Sequence, residues 1–149
     1  GRLPPSSRPW APMLPYLAWI QALVAAAASL AMSEILHLTP CTLCWYQRIA
    51  MYPLVLVIGV GIVLGDRRVA LYALPASVIG LVIAAYHNVL YYGVLPEAIA
   101  QCSLGVSCTE RQLELFGLPF LTIPTFSLVA FAVITVSLTV YHHWSRPHA

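Results

Sequence analysis

Four apolar stretches, about Leu14–Leu36, Tyr46–Leu64, Val69–Tyr92 and Phe120–Tyr141, decide what this chain folds into. Each reaches the roughly 20 residues a helix needs to cross about 30 Å of hydrocarbon. Backbone N–H and C=O groups find no partner in lipid, so a spanning segment is either a helix or a strand of a closed barrel. No run of strict apolar–polar alternation is present, which removes the barrel. Charged residues make up only 8% of the chain, against about 25% in an ordinary soluble domain. That leaves too little charge to cover a water-facing surface, and it excludes disordered and collagen-like chains as well. Seven arginines, no lysine and five acidic residues give a formal charge of +2, too sparse for a nucleic-acid footprint, so no nucleic-acid partner is expected. The expectation is an all-α membrane protein, a four-transmembrane-helix bundle forming one domain over residues 1–149.

The first stretch also carries Ser29-Leu30-Ala31, a small-residue pattern of the kind cleaved after signal peptides. Its apolar run is too long for a signal h-region and three more runs follow, so it reads as a span. Arginine placement sets the orientation. With four spans, Arg2, Arg8, Arg67, Arg68 and Arg146 share one side, and only Arg48 and Arg111 belong to the other. The positive-inside rule then puts both termini in the cytoplasm. Two outer loops follow, a short one at about residues 37–45 and a longer one at 93–119. Trp10, Trp45, Tyr91, Tyr92, Tyr141 and Trp144 sit at span ends, as interfacial anchors do. Pro53 removes a backbone donor and is expected to kink the second helix. Gly59, Gly61 and Gly80 are expected to be points of close helix approach, and the run Ala25–Ala28 reads as packing. In the longer loop, Leu113 and Phe116 share a helical face opposite Glu110, Arg111 and Glu114, the pattern of a short surface helix.

Cys41, Cys44, Cys102 and Cys108 all fall in the outer loops, where disulfides persist in a bacterial envelope. Three uses compete. As structural staples, local pairs would add roughly 2 kcal/mol each and a bridge between the loops about 4 kcal/mol, in a bundle that hardly needs them. As metal ligands, four thiolates suit zinc, and a soft set suits monovalent copper. The Cys-x5-Cys spacing of the second pair is looser than a zinc knuckle, so thiolate metal binding stands as the alternative reading. As a redox relay, the same cysteines explain further residues. Cys44 lies where the second helix is expected to begin, and a helix N-terminus favours a thiolate. Arg48, four residues on, shares its face and is costly in lipid without a polar partner. Glu34 and His87, with Tyr86 and Asn88 beside it, are expected at the same depth on the first and third spans.

A catalyst that makes disulfides repeatedly needs a two-electron sink, and at a membrane interface a lipid-soluble quinone fits. Arg48 would hydrogen-bond a quinone oxygen and steady the charge developing on it. Cys44 would lie against the ring, with Trp45 or Tyr46 as an apolar wall.

The stretch Pro40-Cys41-Thr42-Leu43-Cys44-Trp45-Tyr46-Gln47-Arg48 strongly resembles the PCxLCxYxR signature of the DsbB/BdbC family of bacterial membrane thiol:quinone oxidoreductases. Cys108-Thr109-Glu110-Arg111-Gln112, followed by Phe116-Gly117-Leu118, resembles that family's second-loop segment, and the compact Cys-x5-Cys resembles the BdbC branch. The resemblance covers all four spans in order. It implies that a Cys102–Cys108 disulfide accepts electrons from an extracytoplasmic thioredoxin-fold oxidase of the DsbA/BdbD kind, with Cys102 as the point of attack. Electrons would pass to Cys41 and Cys44, through a transient Cys41–Cys108 bridge, and from Cys44 to ubiquinone or menaquinone. Arg48 and His87 would then lie near the quinone ring, and quinol would carry the electrons into the respiratory chain.

Overall fold

The computed structural model describes residues 9–96 and 122–145, and all regular structure among them is helical. After a short 3-10 turn at Ala11–Met13 come α1 (Leu14–Glu34), α2 (Thr42–Leu64), α3 (Val69–Tyr91) and α4 (Ile123–Ser145). All four are long and apolar enough to cross a membrane. α1 packs on α2, α2 on α3, α3 on α4, and α4 returns to α1, closing a ring of four helices. Short connections make the first three helices alternate in direction, the up-and-down arrangement expected of a bundle.

Local chemistry explains the turns. Gly65 takes the left-handed conformation (φ 64°) that ends α2, and its N–H donates to the carbonyls of Gly61 and Ile62. Asp66 follows with its N–H on the Gly61 carbonyl, while its carboxylate accepts from the Arg68 N–H at 2.8 Å and starts α3. At the other end of the bundle, Ile35 and Leu36 both donate to the Ala31 carbonyl, and His37 has φ 52°. The chain thereby reverses within residues 35–41.

Small residues set how closely the helices approach. Ala18, Ala22 and Ala26 form a buried stripe along α1, whereas Ala27 and Ala28 are exposed, so only part of the alanine run is packed. The Phe131 ring lies where a Gly80 side chain would stand, Val69 covers Gly61, and the Trp19 indole covers Gly59. All three glycines are close-approach points, as expected. Phe131, Leu54, Ile58, Ile134 and Leu138 fill the interior, and large apolar side chains such as Val63, Ile49 and Val82 cover the outside. Pro53 and Pro75 both lie inside continuous helices.

Element ends differ from the hydropathy reading in one place that matters. α2 begins at Thr42, four residues before Tyr46, because Cys41 is its N-cap and the Trp45 N–H donates to the Cys41 carbonyl. A run of apolar residues marks the lipid-buried part of a helix, and the polar first turn lies outside that signal. α4 likewise continues to Ser145, beyond Tyr141. Tyr141 is buried among the helices, and the Trp10 and Trp144 rings meet at 52° with their centres 5.3 Å apart. Cys102, Cys108, Arg111 and the segment 110–116 lie outside the described residues.

Candidate dithiol site

The first turn of α2 makes the site. One helical turn brings positions i and i+3 to the same side. The N-cap Cys41 and the third helical residue Cys44 therefore meet with their sulfurs 3.2 Å apart, as free thiols. Cys41 is buried with Leu43 and Leu90, while Cys44 is half-buried beside a cavity. The Cys41 S–H donates to the Cys44 sulfur. That bond, and next burial, push the Cys41 thiol from 9.0 up to about 12, against an opposing pull from His87.

α3 supplies the second wall. His87, only 2% exposed, places Nε2 3.8 Å from the Cys41 sulfur and Nδ1 3.1 Å from the Gln47 amide nitrogen. Ser127 on α4 donates to Gln47 Oε1 at 2.6 Å. With the Gln47 carbonyl so occupied, its NH2 donates to His87 Nδ1, and the ring proton sits on Nε2, directed at Cys41. A polar chain thus runs from α4 through α2 and α3 to a single sulfur. Asn88 holds the same end of the bundle together, donating to the Ala84 and Pro124 carbonyls at 2.8 Å and accepting from Thr125.

α1 supplies the third wall. Arg48 Nε donates to Ser29 Oγ and Nη2 to the Ser29 carbonyl, both at 2.8 Å, and Nη2 also reaches Ser33 Oγ. The Arg48 guanidinium stands 5.4 Å from the Trp45 ring centre. Among the described residues no carboxylate neutralises it. Glu34, expected at this level, is exposed at the end of α1 and stays out of the site.

Between α1, α2 and α4 lies a cavity of about 380 Å³. Cys44, Arg48, Ser29, Ser33, Gln47, Ser127 and Gln21 are polar groups on its lining, and Met51, Phe126 and Phe131 are among its apolar ones. Along α1 it extends from Ser33 to Gln21, about 18 Å at 1.5 Å per residue. His87 does not line it. Of the residues singled out in the sequence, the fold therefore gathers Cys41, Cys44, Arg48 and His87, with only Cys44 and Arg48 on the cavity. Sequence reasoning missed Ser29, Ser33, Gln47 and Ser127. The i, i+4 serine pair inside an otherwise apolar run, and a glutamine next to the arginine, were the available signals.

The family model "Disulfide bond formation protein DsbB" matches residues 11–141. The chain belongs to the DsbB family. Its relatives include "Probable disulfide formation protein C 2" of Bacillus cereus, 45% identical over 83% of this chain and 87% of that protein. "Disulfide bond formation protein C" of Bacillus subtilis is 43% identical over 81% of this chain and 86% of its own length. "Probable disulfide formation protein" of Metapseudomonas resinovorans is 35% identical over 96% of this chain and 97% of its own. No solved structure matches. Membership of the DsbB family and four apolar helices together describe a multi-pass membrane protein of disulfide formation, with the C-type relatives bearing out the BdbC-like resemblance. Metal binding by the thiols is not favoured by these relationships.

Proposed function

We propose that the chain is a thiol:quinone oxidoreductase that reoxidises an extracytoplasmic, DsbA/BdbD-like thioredoxin-fold partner. The observation that carries this reading is the shared cavity. One sulfur of a close dithiol and an arginine that has no carboxylate partner among the described residues face the same largely apolar space. The donor set suits a neutral carbonyl acceptor: Arg48 offers N–H groups and charge, the walls are apolar and aromatic, and the length accommodates an alkyl tail. A bound ubiquinone or menaquinone supplies the sink for two electrons and two protons.

The protein's own residues do the rest. Cys102 and Cys108 accept electrons from the partner dithiol, Cys102 taking the mixed disulfide, and pass them to the Cys41–Cys44 disulfide. The reduced pair then returns two electrons and two protons as its disulfide re-forms. Cys44 delivers the electrons on the cavity side, and Arg48 orients and polarises the acceptor oxygen. His87 serves the other sulfur: its Nε2–H steadies negative charge on Cys41 whenever Cys44 is engaged elsewhere. Arginine distribution supports cytoplasmic termini and redox cysteines on the outer face of the bacterial inner membrane.

Cys44→Ser tests the reading directly. Purified protein supplied with reduced partner and quinone is expected to lose quinol formation, followed by absorbance. Undiminished quinol formation by that variant would falsify the assignment.

A further inference from the structure

We propose that Ser29 and Ser33 of α1 are positioning residues that aim the Arg48 guanidinium at the acceptor oxygen; this rests on the quinone reading above. A guanidinium has five N–H donors in a planar fork. Nε and both hydrogens of Nη2 are assigned to α1, through Ser29 Oγ, the Ser29 carbonyl and Ser33 Oγ. Nη1 takes no part in these bonds and is left to the cavity that Arg48 lines.

Ser29 and Ser33 stand four residues apart, so both hydroxyls fall on one face of α1. Four residues is likewise the distance from Cys44 to Arg48 on α2. The two helices therefore present matching one-turn pairs, one sulfur-and-guanidinium and one of hydroxyls. Three bonds from one helix prevent the long side chain from snorkelling to the headgroups, its usual escape from lipid.

The chemical choice of serine matters as much as its position. A carboxylate at either place would hold the guanidinium more firmly and cancel its charge. Hydroxyl and carbonyl oxygens hold it while leaving the full positive charge for the ligand. Glu34, next to Ser33 in sequence, is exposed at the end of α1.

The test uses the full-length protein in nanodiscs with an alkyl-substituted 1,4-benzoquinone as probe. Two quantities are read: quinone bound at equilibrium, by dialysis, and hydrogen exchange of the Arg48 Nε–H, by 15N NMR without quinone. Ser29→Ala combined with Ser33→Ala is expected to speed Nε–H exchange and to weaken quinone binding about tenfold. The KM for the thiol partner should stay unchanged. Ser29→Thr with Ser33→Thr, which keeps both hydroxyls, is expected to restore both quantities. Ser33→Asp should slow Nε–H exchange and still weaken quinone binding. Unchanged exchange and binding in the alanine pair overturns the proposal, as does weakened binding that threonine fails to rescue. Wild-type protein that binds no quinone overturns the quinone reading itself, and the exchange comparison then still decides whether the serines hold Arg48.

Discussion

A thiol whose S–H is engaged as a hydrogen-bond donor to a neighbouring sulfur reacts slowly, and Cys41 is in that position. Its value of about 12 arises from the bond to Cys44 and from burial, so it stays protonated across the physiological range. Iodoacetamide at pH 8 is therefore expected to modify Cys44, on the cavity, well before Cys41, with peptide mass spectrometry reading the order. The sign of the stability effect follows. A thiol raised from 9.0 favours the folded state below pH 9, and that contribution fades as pH rises toward about 12. Next to it, Gln47→Leu removes the donor to His87 Nδ1. The ring proton is then free to shift, and the 15N spectrum of His87 is expected to change from one tautomer, with Nε2 protonated, to a mixture. Arg48→Leu belongs to the same scale. A hydrogen bond to a charged group contributes about 1.5–3 kcal/mol, so its loss should raise the apparent KM for quinone at least about tenfold. Steady-state titration checks this, with retained helical circular dichroism showing that the bundle survives. Much of this was legible beforehand: the Cys41–Cys44 spacing and Arg48 one turn on are local facts of a helix. The roles of Ser29 and Ser33 were not, because a serine in an apolar run looks the same whether it packs or binds.

At the scale of elements, every helix contributes polar groups to the site. α2 carries both sulfurs and the arginine, α1 the hydroxyls that hold it, α3 the imidazole, and α4 the serine at the end of the polar chain. Their spacing depends on small contact residues. Gly80→Leu would drive a side chain into the Phe131 ring, and Phe131 also lines the cavity. Overpacking of this kind costs about 1–3 kcal/mol. The variant is expected to unfold earlier in a detergent thermal scan and to bind quinone more weakly. The early start of α2 belongs here too. Hydropathy placed the span boundary at Tyr46, with Cys44 just ahead of the expected helix start, whereas the helix begins at Thr42 and takes Cys41 as its N-cap. The boundary matters chemically, since only a helical turn brings both sulfurs together against α3.

As a whole, the molecule is a ring of four helices whose reactive groups gather at one end and whose inter-helix turn at Gly65 carries arginines at the other. The proposed orientation has the cysteines outside and the termini inside. A membrane-impermeant maleimide added to intact cells, with the thiols reduced, is expected to label the native cysteines. In a cysteine-free background, Asp66→Cys should label only after permeabilisation. Labelling in the opposite order would reverse the orientation.

The class of fold, the four spans, the glycine contacts and the dithiol with its arginine follow from the chain alone, because lipid demands long helices and helical spacing is local. The partnership of Arg48 with α1, the link from His87 to Cys41 and the common cavity of Cys44 and Arg48 came only with tertiary structure. The bonds of Arg48 to α1 and of His87 to Cys41 join residues 15 to 46 positions apart. Which faces of four similarly apolar helices turn toward one another is settled by side-chain fit, such as Phe131 against Gly80, and periodicity does not encode it.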